Sequence, residues 1–328
     1  MKVLVTGGAG YIGSVTVEAL RRRGDSVCVV DNLLFGHRKA VDPSINNYLA
    51  DVRDTARMTE ILQLEQVDAV IHFAAASLVA ESVADPAKYF DNNVLGTLSL
   101  LRAMRLAGVK KIVFSSTAAT YGEPQKPILS EDHPTIPTNP YGLSKLMVEQ
   151  AMATFTSAYG LRFVALRYFN ACGAIDIRGE DHTPETHLIP LVLQVALGQR
   201  SHIGIFGTDF ATPDGSCVRD YIHVWDLAQA HLRAVDHLAE SGDSLICNLG
   251  NGEGFSVREV IEACRRVTGH AIPAVESPRR AGDPSRLIAD ATRARTVLGW
   301  TPEKADLEGI IKDAWEWHRH HPAGYGSR

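Results

Sequence analysis

Lys2-Val3-Leu4-Val5-Thr6-Gly7-Gly8-Ala9-Gly10-Tyr11-Ile12-Gly13 joins a short β-rich run to a glycine-rich turn, after which a helical pattern begins. Ile12, Val15, Ala19 and Leu20 recur at helical spacing as far as Arg23. Glycines at 7, 10 and 13 permit a tight turn, a close backbone approach to a pyrophosphate, and close packing of helix on strand. The helix N-terminus adds positive partial charge. Taken alone, the turn also fits, as the lesser reading, a strand-to-helix connection that binds nothing. The next apolar run, Ser26–Asp31, supplies context, because Asp31 stands 18 residues beyond Gly13, where a carboxylate accepts from a ribose 2′-hydroxyl and repels a 2′-phosphate. NAD is therefore expected over NADP.

Working outward, Val67–Phe73, Lys110–Ser116 and Leu161–Phe169 repeat the continuous apolar character of a parallel strand buried on both faces. Helical stretches around Asp54–Leu64, Tyr89–Ala107 and Tyr141–Tyr159 separate them. Strand alternating with helix implies right-handed βαβ units and an α/β class with a Rossmann-like doubly wound parallel sheet. After about Ala171 the rhythm changes: short strands are predicted at Ile203–Phe206, Val218–Val224 and Leu245–Leu249, and helices at Leu188–Leu197, Trp225–Leu238, Val257–Thr268 and Asp306–His318. The expected organisation is an NAD-binding part, 1–170, with a return around 218–240, and a smaller mixed α/β substrate-binding part, 171–328, over the carboxyl edge of the sheet. Phe73-Ala74-Ala75-Ala76 ends a buried strand in small side chains that leave room for a cofactor backbone. Asp51-Val52 suits an adenine contact, and Asp51 equally suits the cap of the helix beginning near Thr55.

At 328 residues, with 45% apolar and 22% charged side chains, the chain has the composition of a globular protein of about two domains. A net charge of −5 gives no general attraction to nucleic acid or anionic membrane, so neither is an expected partner. Cys28, Cys172, Cys217, Cys247 and Cys264 are widely spaced without a CxxC pair, so no metal site and no disulfide framework is expected. No apolar run approaches the ~18 residues of a membrane span, and the glycines at 7 and 8 interrupt any secretory region. A cytoplasmic location is the expectation.

Tyr141 and Lys145 lie four apart in Tyr141-Gly142-Leu143-Ser144-Lys145, on one face of a predicted helix. A cation ~5 Å from a phenol, at an effective dielectric of ~20, contributes roughly 3 kcal/mol, enough to draw a tyrosine down by about two pKa units. Lys145 together with a nicotinamide cation is thus expected to bring Tyr141 close to neutrality as a base. Phe114-Ser115-Ser116-Thr117-Ala118-Ala119-Thr120-Tyr121-Gly122 closes the fifth strand with hydroxyls at its carboxyl end, where substrate would lie.

In this order the motifs GGAGYIG (7–13), DNL (31–33), DNNVLGT (91–97), FSSTAATYG (114–122), PYGLSK (140–145), RYFNACGA (167–174), VRDYIHV (218–224) and PRRAGDPS (278–285) make the chain similar, over nearly its whole length, to the extended short-chain dehydrogenase/reductases that epimerise nucleotide sugars. The resemblance implies interconversion of UDP-glucose and UDP-galactose at C4 through a 4-keto sugar, with tightly bound NAD and a homodimer built on the helices at 89–107 and 141–159. It makes Tyr141 the catalytic base, Lys145 its electrostatic partner and a ribose ligand, and Thr117 the hydroxyl between substrate and tyrosine. It puts Tyr11, Ile12, Asp31, Asn32, Asp51, Val52, Phe73, Asn92 and Phe169 at NAD, beside Gly7, Gly10, Gly13, Ala74 and Ala75. It puts Asn170, His187, Leu188, Gly204, Ile205, Phe206, Arg219, Arg280 and Asp283 at the UDP-sugar, with Leu287 lining the sugar pocket. Arg219 and Arg280 suit a diphosphate because a guanidinium donates two parallel hydrogen bonds and keeps its charge.

Some positions depart from the pattern. Ser77 stands where some members place a lysine, Thr117 replaces a commoner serine, and Phe35 occupies a loop usually made of small polar residues. Ala118-Ala119 replace the Asp-Glu pair with which related dehydratases eliminate water, so hydride return is the simplest end to the reaction. Other UDP-sugars, and a binding protein without turnover, stay open as alternatives. The His318-Arg319-His320-His321 run reads as a solvated helix terminus, His223 as a core histidine, and Trp300, Trp315 and Trp317 as packing.

Overall fold

A computed structural model describes residues 1–240, 242–280 and 283–326; Ala281 and Gly282, inside the 278–285 motif, lie outside the described residues. Seven strands form one parallel sheet: β1 (Lys2–Thr6), β2 (Ser26–Asp31), β3 (Asn46–Leu49), β4 (Ala69–His72), β5 (Lys111–Thr117), β6 (Arg162–Tyr168) and, much later in the chain, β10 (Leu245–Leu249). Their spatial order is β10-β6-β5-β4-β1-β2-β3, so the winding reverses between β1 and β4 and opens a crevice at their carboxyl ends.

Unbroken apolar runs arise because successive side chains of each strand enter different cores. Val3, Val5 and Val29 face one core, with α1 (Tyr11–Arg23) and α8 (Val224–Ala239); Leu4, Cys28 and Val30 face the other, with α2 (Thr55–Leu64), α5 (Gly96–Ala107) and α6 (Pro140–Tyr159). Each such side chain, fully buried, contributes ~1.5–3 kcal/mol. All five cysteines are free and buried among these and other apolar side chains.

The stretch expected as one helix from Tyr89 is interrupted. α3 (Val79–Ala84) and α4 (Pro86–Tyr89) precede a widened π turn at Phe90–Leu95, and α5 follows. Asp54, not Asp51, caps α2 by accepting from the Arg57 N–H at 3.0 Å.

Beyond β6, β7 (Asn170–Cys172), β9 (Val218–His223), β11 (Gly254–Ser256) and β13 (Arg286–Leu287) make a small mixed sheet, and β8 (Ile203–Phe206) pairs with β12 (Ala274–Ser277). A third core lies under α7 (Leu188–Ala196), α9 (Val257–Thr268) and α11 (Leu307–His320). The chain does return to the large sheet, but not through the strand expected to bring it back. Val218–His223 stays in the small sheet, while α8 packs on α1 and β10 pairs with β6. α10 (Thr292–Leu298) then packs on α8.

His223 is fully buried at the β9–α8 joint, where its Nδ1 accepts from the Trp225 N–H at 2.9 Å. His318 is buried instead of solvated, because its ring packs edge-on against Trp317, which His321 covers by stacking 5.0 Å away.

Candidate active site

The turn after β1 is shaped by contacts that exclude side chains. Gly7 has φ +70°, and a Cβ on Gly13 would lie 2.1 Å from the Gly7 carbonyl oxygen, so α1 starts flush against the turn. Its first turn has neither a side-chain cap nor an acidic residue, which leaves the N-terminal N–H groups of Tyr11, Ile12 and Gly13 without a side-chain acceptor. Gly10 is the N-cap residue. The Tyr11 hydroxyl donates to the Gly173 carbonyl at 2.6 Å, tying the turn to the start of the second part.

Asp31 is buried and accepts from the N–H groups of Ala9 at 3.0 Å and Leu33 at 2.8 Å; burial pushes its carboxyl above the usual range. Asn32 reaches across to Asp51 at 3.2 Å. Asp51 is drawn down to about 2, chiefly by its hydrogen bonds from Arg53, and Val52 beside it is buried. Phe73 and Ala74 continue from β4 by donating to the Thr6 carbonyl at 2.9 and 3.2 Å, and Ala75 follows, half-buried. Position 77 carries exposed Ser77, while the Lys88 ammonium stands 5.3 Å from the Phe35 ring centre.

The π turn explains a residue that motif spacing did not single out. Asn92 is half-buried, but Asn93 is buried and accepts from the Ala76 N–H at 2.8 Å while donating to the Ala76 carbonyl at 2.9 Å and Ser144 Oγ at 3.0 Å. It thereby locks the loop after β4 onto α6.

α6 begins at Pro140 with Asn139 as cap, its Oδ1 accepting from the Gly142 N–H at 2.9 Å. A Cβ on Gly142 would lie 2.3 Å from the Ala119 carbonyl oxygen, so only glycine lets α6 meet the turn after β5 this closely. That contact brings Tyr141 to Thr117. Thr117 Oγ1 accepts from the Ala119 N–H at 3.1 Å, and the hydroxyl stands near enough to the Tyr141 phenol to favour its ionised form.

In the ligand-free protein, burial governs both members of the expected Tyr141–Lys145 pair. The Lys145 ammonium is buried, donates to the Ser115 carbonyl at 2.8 Å, lies 4.8 Å from the Phe114 ring centre, and is brought down to about 7 by burial. Burial likewise raises the Tyr141 phenol, against a smaller opposing pull from Thr117. Desolvation penalises both charged forms and is the largest influence on each in the ligand-free protein.

Beneath this turn lies a buried ionic network that sequence reading missed. Glu149, one helical turn beyond Lys145, accepts from Ser116 Oγ at 2.5 Å and from Arg167 Nε at 2.9 Å. Arg167 stacks 4.9 Å from the Tyr121 ring, whose hydroxyl donates to Asn248 Oδ1 at 2.6 Å. Glu149 was legible only as the next polar position of a helix face.

On the opposite wall, Phe169 and Leu287 pack against Ala118, Tyr121 and Leu129, beside the turn after β5. Asn170 donates to the Asp220 carbonyl at 3.0 Å. Phe206 folds over Gly204, and the Arg280 guanidinium lies 5.0 Å from its ring centre. Ile205 points the other way, into the third core. Asp283 joins both arginines, 2.9 Å from Arg280 Nε and 3.7 Å from Arg219 Nη2. Arg219 also donates to the carbonyls of Val218 and Pro284, each at 2.9 Å. Leu188 opens α7, while His187 turns its Nδ1 to Glu180 and Glu185, at 2.9 Å from each.

A model of the NAD dependent epimerase/dehydratase family matches residues 3–250. The UDP-glucose 4-epimerase of Halalkalibacterium halodurans is 56% identical over 329 aligned residues, covering 100% of this chain and 98% of that one. A crystal structure of a UDP-glucose 4-epimerase superposes with a TM-score of 0.97 at 50% identity, covering 100% of both chains. The Brucella ovis UDP-glucose 4-epimerase, solved in complex with NAD, superposes with a TM-score of 0.93 at 48% identity, covering 96% of this chain and 97% of that one.

Proposed function

The chain belongs to the NAD dependent epimerase/dehydratase family, and on that premise we propose that it interconverts UDP-glucose and UDP-galactose by inverting C4 of the sugar. The observation that carries the reading is the meeting of Thr117 and Tyr141 at the carboxyl edge of β5, where Ala118-Ala119 provide no second acid or base. Relatives and neighbours of known structure carry the same name over the full length of the chain.

NAD fits the cofactor end on this structure's own terms. An uncapped helix N-terminus behind a side-chain-free turn suits a pyrophosphate, and Asp31 keeps acceptor capacity for a ribose. When bound, NAD supplies a reversible hydride acceptor, so that C4 passes through a ketone and regains its hydrogen on either face. The protein's part is proton handling and restraint. Thr117 relays the proton of the C4 hydroxyl to the Tyr141 oxygen, whose phenolate a bound nicotinamide cation would favour against the burial that raises it in the ligand-free protein, and Lys145 offers its remaining N–H donors to the cofactor ribose. Arg219 and Arg280 grip the diphosphate, Asp283 holds the two guanidinium groups in place beside the UDP-sugar, and Phe206 stacks beside the uracil. Val52, Asp51, Asn32, Asn92, Phe73, Ala74, Ala75 and Phe169 border the dinucleotide, while Asn170, His187, Leu188 and Leu287 border the UDP-sugar. The part formed by 1–170 thus holds the cofactor and 171–328 most of the UDP-sugar, with 224–249 returning to the first.

No helix among the described residues is long and apolar enough to cross a membrane, and a cytoplasmic homodimer completes the proposal. Exposed Leu95 and Leu106, near and on α5, and Leu143 and Met147, one turn apart on α6, support the helix faces at 89–107 and 141–159 as the contact. Sedimentation at micromolar concentration tests this; a monomer would refute it.

The test of function is chromatographic separation of UDP-glucose from UDP-galactose after incubation without added reductant. Exchange in both directions with native protein, and its loss in Tyr141→Phe, is the expected result. Native protein that retains NAD yet gives no exchange would overturn the reading.

A further inference from the structure

Between β7 and α7, Glu180, His182, Glu185 and His187 bring two imidazole nitrogens and two carboxylate oxygens within 4.8 Å of one another. His187 Nδ1 lies 2.9 Å from Glu180 Oε1 and 2.9 Å from Glu185 Oε1. His182 Nδ1 lies 3.3 Å from Glu180 Oε1 and 3.7 Å from Glu185 Oε2. Tetrahedral coordination with metal–donor distances of ~2.0–2.2 Å requires donor atoms roughly 3.3–3.5 Å apart. The His182 separations, 3.3 and 3.7 Å, lie at and above that edge, the His187 separations, 2.9 Å each, fall short of it, and the two histidines face different oxygens of Glu185.

Hydrogen bonding explains the cluster less completely. A single Nδ1–H on His187 cannot align with two carboxylates at once, and it is aligned with Glu185 alone. His182 Nδ1 is buried and has no hydrogen-bond partner, although Glu180 is only 3.3 Å away. Two nitrogen lone pairs converging on a shared centre require neither alignment. The carboxylates are also held as ligands usually are: Glu180 is only 5% exposed, and Glu185 Oε1 accepts from the N–H groups of Thr186 and His187 at 2.7 and 2.8 Å.

We propose that Glu180, His182, Glu185 and His187 form a four-coordinate site for a divalent transition-metal ion of the zinc type. Two carboxylates balance the ion's charge, and two imidazoles favour zinc over magnesium or calcium. The spacing Glu-x-His-x-x-Glu-x-His puts all four ligands in one loop, so the ion closes that loop on itself. Because His187 is the residue before α7, the ion positions the start of that helix.

Untagged protein, stripped with chelator, dialysed against zinc and then washed, is assayed for metal by elemental analysis, and cobalt(II) is added to a second stripped sample. The expected result is about one zinc per chain, set by the one four-ligand site among the described residues, and cobalt absorption in the visible without the charge-transfer band of a thiolate ligand. His182→Asn and Glu180→Gln should each weaken binding by at least the roughly 10–100-fold that loss of an outer-shell partner costs. His320→Ala, which removes an exposed histidine near the end of the chain, should leave the zinc content unchanged. Zinc should raise the melting midpoint of stripped native protein and not that of His182→Asn. Zinc no higher in native protein than in His182→Asn, or absent cobalt bands in native protein, would overturn the proposal and leave the cluster as two charge pairs. The native readings stand by themselves should a variant fail to fold.

Discussion

At the cofactor end, the groups that form the site come from successive turns at the ends of β1, β2 and β4, and most are held by backbone contacts. At the proposed substrate end, Phe206, Arg219 and the Arg280–Asp283 pair come from three segments and are held by side chains, chiefly through Asp283 between two guanidinium groups. The first arrangement is stiff, because buried parallel strands and side-chain-free turns leave no alternative packing. The second can adjust, since Arg280 is 58% exposed and its ion pair is individually weak in water. A site that must hold one dinucleotide rigidly while a sugar ring presents either face needs both properties. Tyr141 stands where the two ends meet.

Removing the Tyr141 hydroxyl breaks that junction most severely. Tyr141→Phe should lower kcat by about 10²–10⁴-fold, with binding of UDP-sugar retained, as measured by turnover alongside calorimetric titration. Gly142→Ala and Gly13→Ala sharpen the contrast, since each forces a methyl group against a carbonyl oxygen. Displacing Tyr141 by about an ångström in Gly142→Ala should cost about 10²-fold in kcat with NAD retained. Gly13→Ala should instead release NAD, seen by absorbance after gel filtration; equal NAD retention in the two variants would erase the distinction. At the adjustable end, Arg219→Ala or Arg280→Ala removes charged hydrogen bonds worth about 1.5–3 kcal/mol, raising KM about 10–100-fold with kcat less affected. Arg280→Lys should recover part of the loss, whereas an unchanged KM in Arg280→Ala would exclude it from the clamp.

The smallest expected effect concerns pH. Lys145 falls from 10.5 when unfolded to about 7 in the folded chain. Below about 7 both states carry the proton and the penalty of burying the cation is complete; between about 7 and 10.5 the folded state sheds it first, so stability rises with pH. The slope contributed is at most about 1.4 kcal/mol per pH unit. Urea midpoints of ligand-free protein at neutral and mildly alkaline pH should therefore climb more steeply for the native chain than for Lys145→Met, and parallel profiles would contradict the burial of a neutral lysine.

Much of the cofactor end was legible in the sequence, because its chemistry is local. Glycines at 7 and 13, the acidic end of β2 and the Pro-Tyr-Gly start of α6 are each read within one turn of chain. Arg219, Arg280 and Asp283, which motif resemblance grouped, do meet in one ion-pair cluster. The expected helix from Tyr89 failed at the π turn, since its extra residue per turn leaves apolar periodicity almost unaltered while moving Asn93 inward. His318 was misread because a polar ring at a helix end gives no sign that Trp317 will cover it. Assignment of the return to the strand at 218–224 failed because a short buried strand reads alike in either sheet.

The sequence by itself determined the doubly wound class and the order of its strands and helices along the first part, and it nominated the side chains proposed to carry the chemistry, since hydrophobic period, turn residues and motif spacing act over a few residues. Only the tertiary structure decided the protonation balance of Tyr141 and Lys145, the Glu149–Arg167 support beneath them, and the convergence of Glu180, His182, Glu185 and His187. Burial and the meeting of remote segments set those properties, and the cost of removing a charge from water depends on what the whole fold places around it.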